Sequence, residues 1–326
     1  MATQPAGPSI TRARTLTERP GPRRKPGHSA MAKTRSETVA AYLFLTPYLF
    51  VLLVFFLLVS LYGVGLSFFR IDLGFSGATF VGFKNYTQLF SQLANPGLSD
   101  FWTSMGNILK FTVSVVILQT ILALLLALLL HSLRRGRGIF RTIFYVPAVT
   151  SSVATALIFL WLYNPDGIIN FLLSLVGVHG PDWLNNVFWA LPALMLLNVW
   201  STAATFMIYF LASLQDLPKD VLEAAEVDGA SRLQSFWYIT LPLLRPTVFL
   251  VVALGTIGAF QMFDQAKFMT NGQPLNSTLT PMLEIYNEAF LNGGFGQAAA
   301  MSVILFILIF AVTIMQRRLI DPGTRQ

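Results

Sequence analysis

Asp216 to Arg245, DLPKDVLEAAEVDGASRLQSFWYITLPLLR, is a polar stretch set between two windows without a single charge, Trp183 to Gln215 before it and Pro246 to Phe263 after it. A chain that leaves one long apolar window and soon enters another crosses a lipid phase twice and surfaces in between. Inside the stretch, Pro218 suits a first helical turn, where its missing N–H costs no intrahelical bond, and Asp220 and Glu223 lie early enough to favour the helix dipole. A helix is expected from Pro218 to about Val227. Asp228 and Gly229 read as a turn, because glycine reaches positive φ cheaply, and Ser231 can cap a second helix that runs through Tyr238 and is ended by Pro242. Ala224 and Ala225 are small enough for another protein to approach closely, and Glu223 offers a charge to a basic residue. Two readings follow: a solvated connector between spans, or a docking wedge.

Working outward, 54% of the chain is apolar and only 11% charged, far from the balance of a soluble domain. A hydrocarbon core of about 30 Å needs roughly 20 helical residues. Six charge-free windows meet that length: Thr38 to Phe69, Phe111 to Leu130, Thr142 to Pro165, Trp183 to Gln215, Pro246 to Phe263 and Ala289 to Met315. They are continuously apolar rather than alternating, so they read as helices and not as barrel strands. The expected fold is an all-α membrane protein with six transmembrane helices, one domain over residues 38–326, with a cytoplasmic helix-turn-helix loop at 216–245. The first window is too long for a signal-peptide core and is expected to remain in the mature chain.

Basic residues orient the bundle. With the amino terminus inside, the inner segments hold 18 of the 22 Lys and Arg, and the outer side keeps Arg70, Lys84, Lys110 and Lys267. That asymmetry puts both termini and the 216–245 loop in the cytoplasm. Residues 1–37, rich in Pro, Arg, Thr and Gly, cannot bury enough apolar surface to order themselves and read as a disordered basic cytoplasmic tail. Phe80, Phe83, Tyr86, Phe101 and Trp102 suit the outer membrane surface, as anchors or as contacts for an external partner. The net charge of +7 resides mainly in the tail and in the Arg134, Arg135, Arg137 and Arg141 cluster, which topology explains without nucleic acid. The chain has no cysteine. His28, His131 and His179 are scattered, so no metal site is expected, and no HExxH, GxSxG or GxxxxGK[ST] pattern occurs.

Charges are costly in a bilayer, and ion-coupled transporters usually retain some within it. The six windows have none, which favours a neutral solute moved by energy from elsewhere. Polar side chains inside them are Asn198, Ser201, Thr202 and Thr205 in the fourth window, with Thr256 and Gln261 in the fifth. Asn198, Thr202 and Thr205, spaced four then three residues apart, share one helix face that can look into a central cavity. The same groups can instead bridge neighbouring helices, a common use of Ser, Thr and Asn in membranes.

The spacing of Glu223, Ala224, Ala225, Gly229, Ile239, Leu241 and Pro242 resembles the EAA loop of bacterial ABC importer permeases. Val81 to Tyr86 (VGFKNY), Gly138 to Tyr145 (GIFRTIFY), Ile239 to Pro246 (ITLPLLRP) and Phe263 to Asp264 (FD) extend the likeness to the maltose-type carbohydrate permeases, over nearly the whole chain after the tail. Thr270 to Pro274 (TNGQP) resembles that family's outer turn. The resemblance implies a bacterial inner membrane subunit, itself not an enzyme, that assembles with a second permease subunit, an ATPase subunit dimer and an extracytoplasmic solute-binding protein. It implies that ATP and Mg bind the ATPase, with no cofactor on this chain, and that the seven EAA positions dock onto that ATPase. Asn198 matches an Asn of the family's sugar site, whereas Ser201, Thr202 and Thr205 depart from the maltose pattern. The rival readings are a self-sufficient secondary transporter and an intramembrane enzyme.

Overall fold

The computed structural model describes residues 29–71, 77–94, 97, 99–133 and 135–320. Its helices are α1 (Ser29–Val51), continued by a wider π segment (Leu52–Leu58) into α2 (Val59–Leu66), then α3 (Lys84–Ser91), α4 (Asp100–Ser132), α5 (Arg137–Val149) and α6 (Ser152–Leu162). They are followed by α7 (Ile168–Leu175), α8 (Ala190–Gln215), α9 (Lys219–Val227), α10 (Arg232–Ser235), α11 (Leu241–Leu243), α12 (Arg245–Phe260), α13 (Pro281–Tyr286) and α14 (Phe295–Ile320). A two-stranded antiparallel ribbon pairs β1 (Phe69–Arg70) with β2 (Thr79–Phe80), Phe69 opposite Phe80 and Arg70 opposite Thr79.

Four helices are long and apolar enough to cross a membrane: Glu37–Leu66, α4, α8 and α14. The third and fifth spans are bent pairs, α5 with α6 at 96° and Arg232–Leu243 with α12 at 65°. The expected six spans are therefore present when each bent pair counts as one. The first bend follows from Thr150 and Ser151, whose ψ values of 136° and 137° leave the helical region, and the Ser152 hydroxyl just beyond bonds the Asp264 carboxylate. The second bend lies at Leu244 (φ −82°, ψ −3°), between Pro242 and Pro246, which lack the N–H groups that would bond the carbonyls of Tyr238 and Pro242.

Several boundaries move from their expected places. Helix already begins at Ser29, inside the stretch expected to be a disordered tail, while residues 1–28 of that tail, Arg134 and residues 321–326 lie outside the described residues. Helix α4 starts at Asp100 and carries Lys110, which the sequence places on the outer side before the Phe111 to Leu130 window; 33 residues span about 50 Å at 1.5 Å each, so its first turns extend beyond a hydrocarbon core. The second helix of the 216–245 loop does not stop at Tyr238. Its backbone widens into a π segment over Phe236–Thr240, where Leu241 N–H bonds Phe236 O, and continues through Pro242.

By contacts the chain divides into two compact units, Met1–Ser60 and Leu61–Gln326. In the first, every described side chain from residue 37 on is exposed or half-buried, an apolar surface suited to lipid or protein neighbours. The second is built around α4 packed along α8. Ala123 and Ala127 on α4 and Ala203 and Ala204 on α8 are buried, and such small residues let the two backbones approach closely. Larger side chains fill both ends: Phe101, Ile108, Phe111, Leu194, Leu197 and Phe260 in one cluster, Leu130, Phe210, Leu214 and Leu244 in the other.

Candidate functional site

The stretch from Pro218 to Leu243 folds as helix, left-handed turn, helix. Pro218 stands at the cap position before Lys219 (φ −61°, ψ 116°), one residue earlier than expected. At the other end of α9, Gly229 has φ 79°, Ala230 N–H bonds Ala225 O at 2.9 Å, and Gly229 N–H bonds Glu226 O at 3.1 Å. This pair of bonds is the Schellman motif, and it requires the left-handed residue to stand four positions after the residue whose carbonyl accepts the longer-range bond. Backbone capping thus explains why glycine follows Ala225 at that distance. Two residues on, Ser231 forms a reciprocal capping box with Gln234: Ser231 N–H bonds Gln234 Oε1 at 2.8 Å and Gln234 N–H bonds Ser231 Oγ at 3.3 Å.

On this frame Glu223 and Ala224 are exposed, and Ala225 is buried. Ile239 is half-buried in the π segment, and Leu241 and Pro242 are half-buried in α11. A cavity of about 420 Å³ separates the helix-turn-helix from the ends of α4 and α8, lined among others by Leu128, His131, Leu214, Leu217, Glu223 and Phe236. Arg137, read from sequence only as a topological charge, has a second use here. Its Nε bonds Leu130 O at 3.0 Å and its Nη2 bonds His131 O at 2.5 Å, capping carbonyls in the last turn of α4.

Within the bundle, polar groups form a layer across four helices. Thr202 donates to Gln119 Oε1 on α4 at 2.6 Å and approaches Asn198 O at the same distance, while Ser201 Oγ bonds Asn198 O at 3.1 Å. The Gln119 amide presses against α12: a Cβ added to Gly255 would lie 2.1 Å from Gln119 Nε2. The next residue, Thr256, accepts from Gln316 Nε2 of α14 at 2.8 Å. Asn198 and Thr256 are buried and Thr205 half-buried on α8, whereas Gln261 is exposed just past the end of α12, away from the layer. The structure therefore gathers Asn198, Ser201 and Thr202, sets Thr256 nearby, and leaves Gln261 apart.

Gln119 and Gln316 were missed from sequence. Their only signal is that each is an amide within or bordering an apolar window. Three buried polar atoms in this region, Gln119 Nε2, Gln316 Oε1 and Thr112 Oγ1, have no protein partner. Thr112, Thr256 and Gln316 also line an apolar cavity of about 500 Å³ between α4, α12 and α14. Unpaired donors and acceptors at this depth can serve a hydroxyl-bearing solute, water or a neighbouring helix. Among the described residues no group of three or more His, Asp and Glu is placed to hold a metal ion.

Outside the spans, the 270–280 turn is tied down by side chains. Asn107 Nδ2 bonds Asn276 O at 2.7 Å and Leu279 O at 3.1 Å, and Asn276 Nδ2 bonds Asp100 Oδ1 at 2.7 Å. Beside it, burial first and then the carboxylates of Asp100 and Glu288 push Glu284 up to about 7.

Residues 119–326 match the model of the family described as binding-protein-dependent transport system inner membrane component. Among curated relatives, the probable ABC transporter permease protein YesP of Bacillus subtilis (strain 168) is 34% identical over 295 residues, covering 88% of this chain and 93% of its own. The arabinooligosaccharides transport system permease protein AraP of the same organism is 34% identical over 288 residues, covering 87% and 89%. The trehalose/maltose transport system permease protein MalF of Thermococcus litoralis is 34% identical over 279 residues, covering 85% and 92%. A chain from the crystal structure of a bacterial alginate ABC transporter, in complex with an alginate pentasaccharide-bound periplasmic protein, superposes with a TM-score of 0.75 at 22% identity, over 90% of this chain and 98% of that one.

Proposed function

The chain belongs to the family of binding-protein-dependent transport system inner membrane components, and from that membership we propose that it passes a sugar or related neutral polyhydroxyl solute through the pore of an ABC importer by alternating access. It is a multi-pass inner membrane protein and a transport subunit rather than an enzyme. In this proposal an external solute-binding protein delivers the solute, a second permease completes the pore, and ATP with Mg is hydrolysed on a separate ATPase dimer. Both termini face the cytoplasm, in keeping with the distribution of Lys and Arg.

The observation that carries the reading is the doubly capped helix-turn-helix between α8 and α12, with Glu223 and Ala224 exposed on it. A short rigid wedge on the side richest in basic residues suits docking onto a nucleotide-driven partner. Glu223, Ala224, Ala225, Gly229, Ile239, Leu241 and Pro242 are its proposed coupling residues. The proposed solute contacts are Asn198, Ser201, Thr202 and Thr205, joined by Gln119. Thr256 is bonded to Gln316 and serves the packing of α12 on α14, and Gln261 meets solute only at the outer end of α12.

Reconstitution tests this function. Uptake is expected only when the second permease, the ATPase, the binding protein and ATP are all present; uptake by this chain alone, driven by an ion gradient, refutes it in favour of a secondary transporter. Glu223→Lys and Gly229→Pro are expected to abolish uptake and ATPase docking while the protein still inserts. Normal uptake by both variants removes the coupling role. Asn198→Ala with Thr202→Ala is expected to slow uptake without loss of assembly, and an unchanged rate and solute preference returns those residues to helix packing alone.

A further inference from the structure

The third span breaks inside a charge-free window. Thr150 and Ser151, at ψ 136° and 137°, leave the helical region between α5 and α6, and no side chain caps α6 at Ser151. Ser151 and Ser152 are exposed at this break and Thr150 is half-buried. Counted from Arg137 at 1.5 Å per residue, the 13 residues of α5 raise the break by at most about 20 Å, inside a hydrocarbon core of about 30 Å. Broken backbone at such depth is tolerated only where protein buries it or where it lines a water-filled cavity. Two successive exposed hydroxyls favour the cavity.

A carboxylate stands at the same level. Asp264, one residue past the charge-free window that ends at Phe263, is half-buried and accepts a hydrogen bond from the Ser152 hydroxyl through Oδ2. Among the described residues that hydroxyl is its one hydrogen-bonding partner, and no cation pairs with it. Lys267, three positions on, is engaged elsewhere: its Nζ bonds Asn271 Oδ1 at 3.1 Å and lies 5.0 Å from the Tyr286 ring centroid. An unpaired carboxylate is too costly to face lipid at this depth, so it faces water. Ser152 takes one of its roughly four acceptor sites, which leaves Oδ1 for the hydroxyls of a solute. Both partners are held from behind. Tyr163 Oη donates to Ala193 O at 2.9 Å, fixing the far end of α6 to α8, and Thr280 Oγ1 donates to Met262 O at 2.9 Å, fixing the turn after α12. The site is thus set before a solute arrives, where the two bent spans meet.

We propose that Asp264 stands in the aqueous solute path and sorts solutes by charge, admitting neutral and cationic polyhydroxyl compounds and rejecting anionic ones, with Ser151 and Ser152 as the hydroxyl contacts beside it. The inference rests on the permease reading for the existence of that path. The test uses the complete transporter in nanodiscs, with Ser151→Cys as the reporter in a chain that has no cysteine of its own, or Thr150→Cys should the first fail to insert. Methanethiosulfonates bearing a trimethylammonium or a sulfonate group are the probes, their rates read from the mass of this chain and normalised to a free thiol. The cationic probe is expected to react about ten-fold faster than the anionic one, the ratio that a unit charge about 6 Å away produces in water. Asp264→Asn, which keeps a partner for Ser152, is expected to erase that preference. Ser152→Ala, which breaks the bond and spares the charge, is expected to keep it. A preference that is absent, or that survives in Asp264→Asn, overturns the proposal. So does a reporter closed to both probes, or one that opens only when the second permease is left out, which marks a buried helix contact. In each of these cases ATP-driven uptake by the unaltered transporter persists; absence of that uptake overturns the permease reading instead, and the solute path with it.

Discussion

Replacing Gly229 by alanine, asparagine and valine in parallel separates backbone geometry from side-chain contact at the turn between α9 and α10. Gly229 has φ 79°, and an added Cβ meets no atom within 4 Å, so the cost of substitution is conformational rather than steric. Holding a non-glycine residue in the left-handed region costs about 1 to 2 kcal/mol. Relaxing out of it loses both capping bonds, Ala230 N to Ala225 O and Gly229 N to Glu226 O. Helix α9 has 9 residues, too few to be stable in isolation, so the turn has little reserve to absorb the penalty. A loss of that size lowers the population of the capped turn by a factor of about 5 to 30, and ATPase affinity falls by the same factor when only the capped turn docks.

Asparagine tolerates the left-handed region and is expected to fall short of glycine only slightly, while valine, β-branched, is expected to be worst. The assay is capture of the ATPase by the solubilised permease pair, with membrane insertion of each variant checked separately. The expected order of affinity is Gly, Asn, Ala, Val. Equal docking by all four, or an asparagine variant as weak as valine, refutes the capping argument and makes Gly229 a contact residue instead.

Gly255→Ala drives a methyl group to 2.1 Å from Gln119 Nε2 and is expected to destabilise the bundle by about 1 to 3 kcal/mol, read as a lower unfolding midpoint, with Gln119→Ser on top of it recovering part of the loss; no recovery means that the two helices do not meet there. Glu284 is held up at about 7 from an ordinary value near 4.5, so its neutral form is the one the fold favours, and its contribution is whole below pH 4.5 and lost as the pH rises through 7. Relative to Glu284→Gln, the unaltered protein is expected to lose stability across that window, and a pH-independent difference between the two midpoints sinks the assignment. Because the chain has no cysteine, Ser213→Cys with Thr247→Cys, replacing two hydroxyls 2.8 Å apart, is expected to form one disulfide that blocks uptake until reductant is added; full uptake by the oxidised form shows that α12 need not move against α8.

Local rules carried some parts of this structure and failed at others. The Gly229 turn and the Ser231 cap were legible because capping is decided within four or five residues. The second helix was misjudged because Pro242 reads as a terminator, while the π segment before it redirects the backbone bonds and lets the helix continue. Charge-free windows found the spans but clipped α4, since Asp100 and Lys110 disqualify a window without disqualifying a helix. In the polar layer, Asn198 and Thr202 share a face that helical periodicity reveals, but Gln119 lies 83 residues from Thr202 and only tertiary packing joins them. Where sequence leaves open whether these hydroxyls bridge helices or face solute, Thr202 and Thr256 each bond a residue of another helix, and the unpaired amide atoms beside them keep the solute reading testable.

The helix-turn-helix and the polar layer are connected by one continuous element. Leu244, wholly buried among Leu130, Phe210 and Leu214, sits at the 65° bend between α11 and α12. From there α12 runs to Gly255 and Thr256, about 18 Å away at 1.5 Å per residue. The elbow falls where Pro242 and Pro246 already lack backbone donors, so changing its angle breaks fewer hydrogen bonds than bending any intact stretch of the same helix. Beyond the elbow, the first interhelical polar contact a moving α12 must release is the single bond from Thr247 to Ser213, and bonds of this kind within membranes are worth only about 0.6 kcal/mol on average. A push on the helix-turn-helix therefore meets its least resistance at Leu244 and has its consequence where Gly255 and Thr256 meet Gln119 and Gln316.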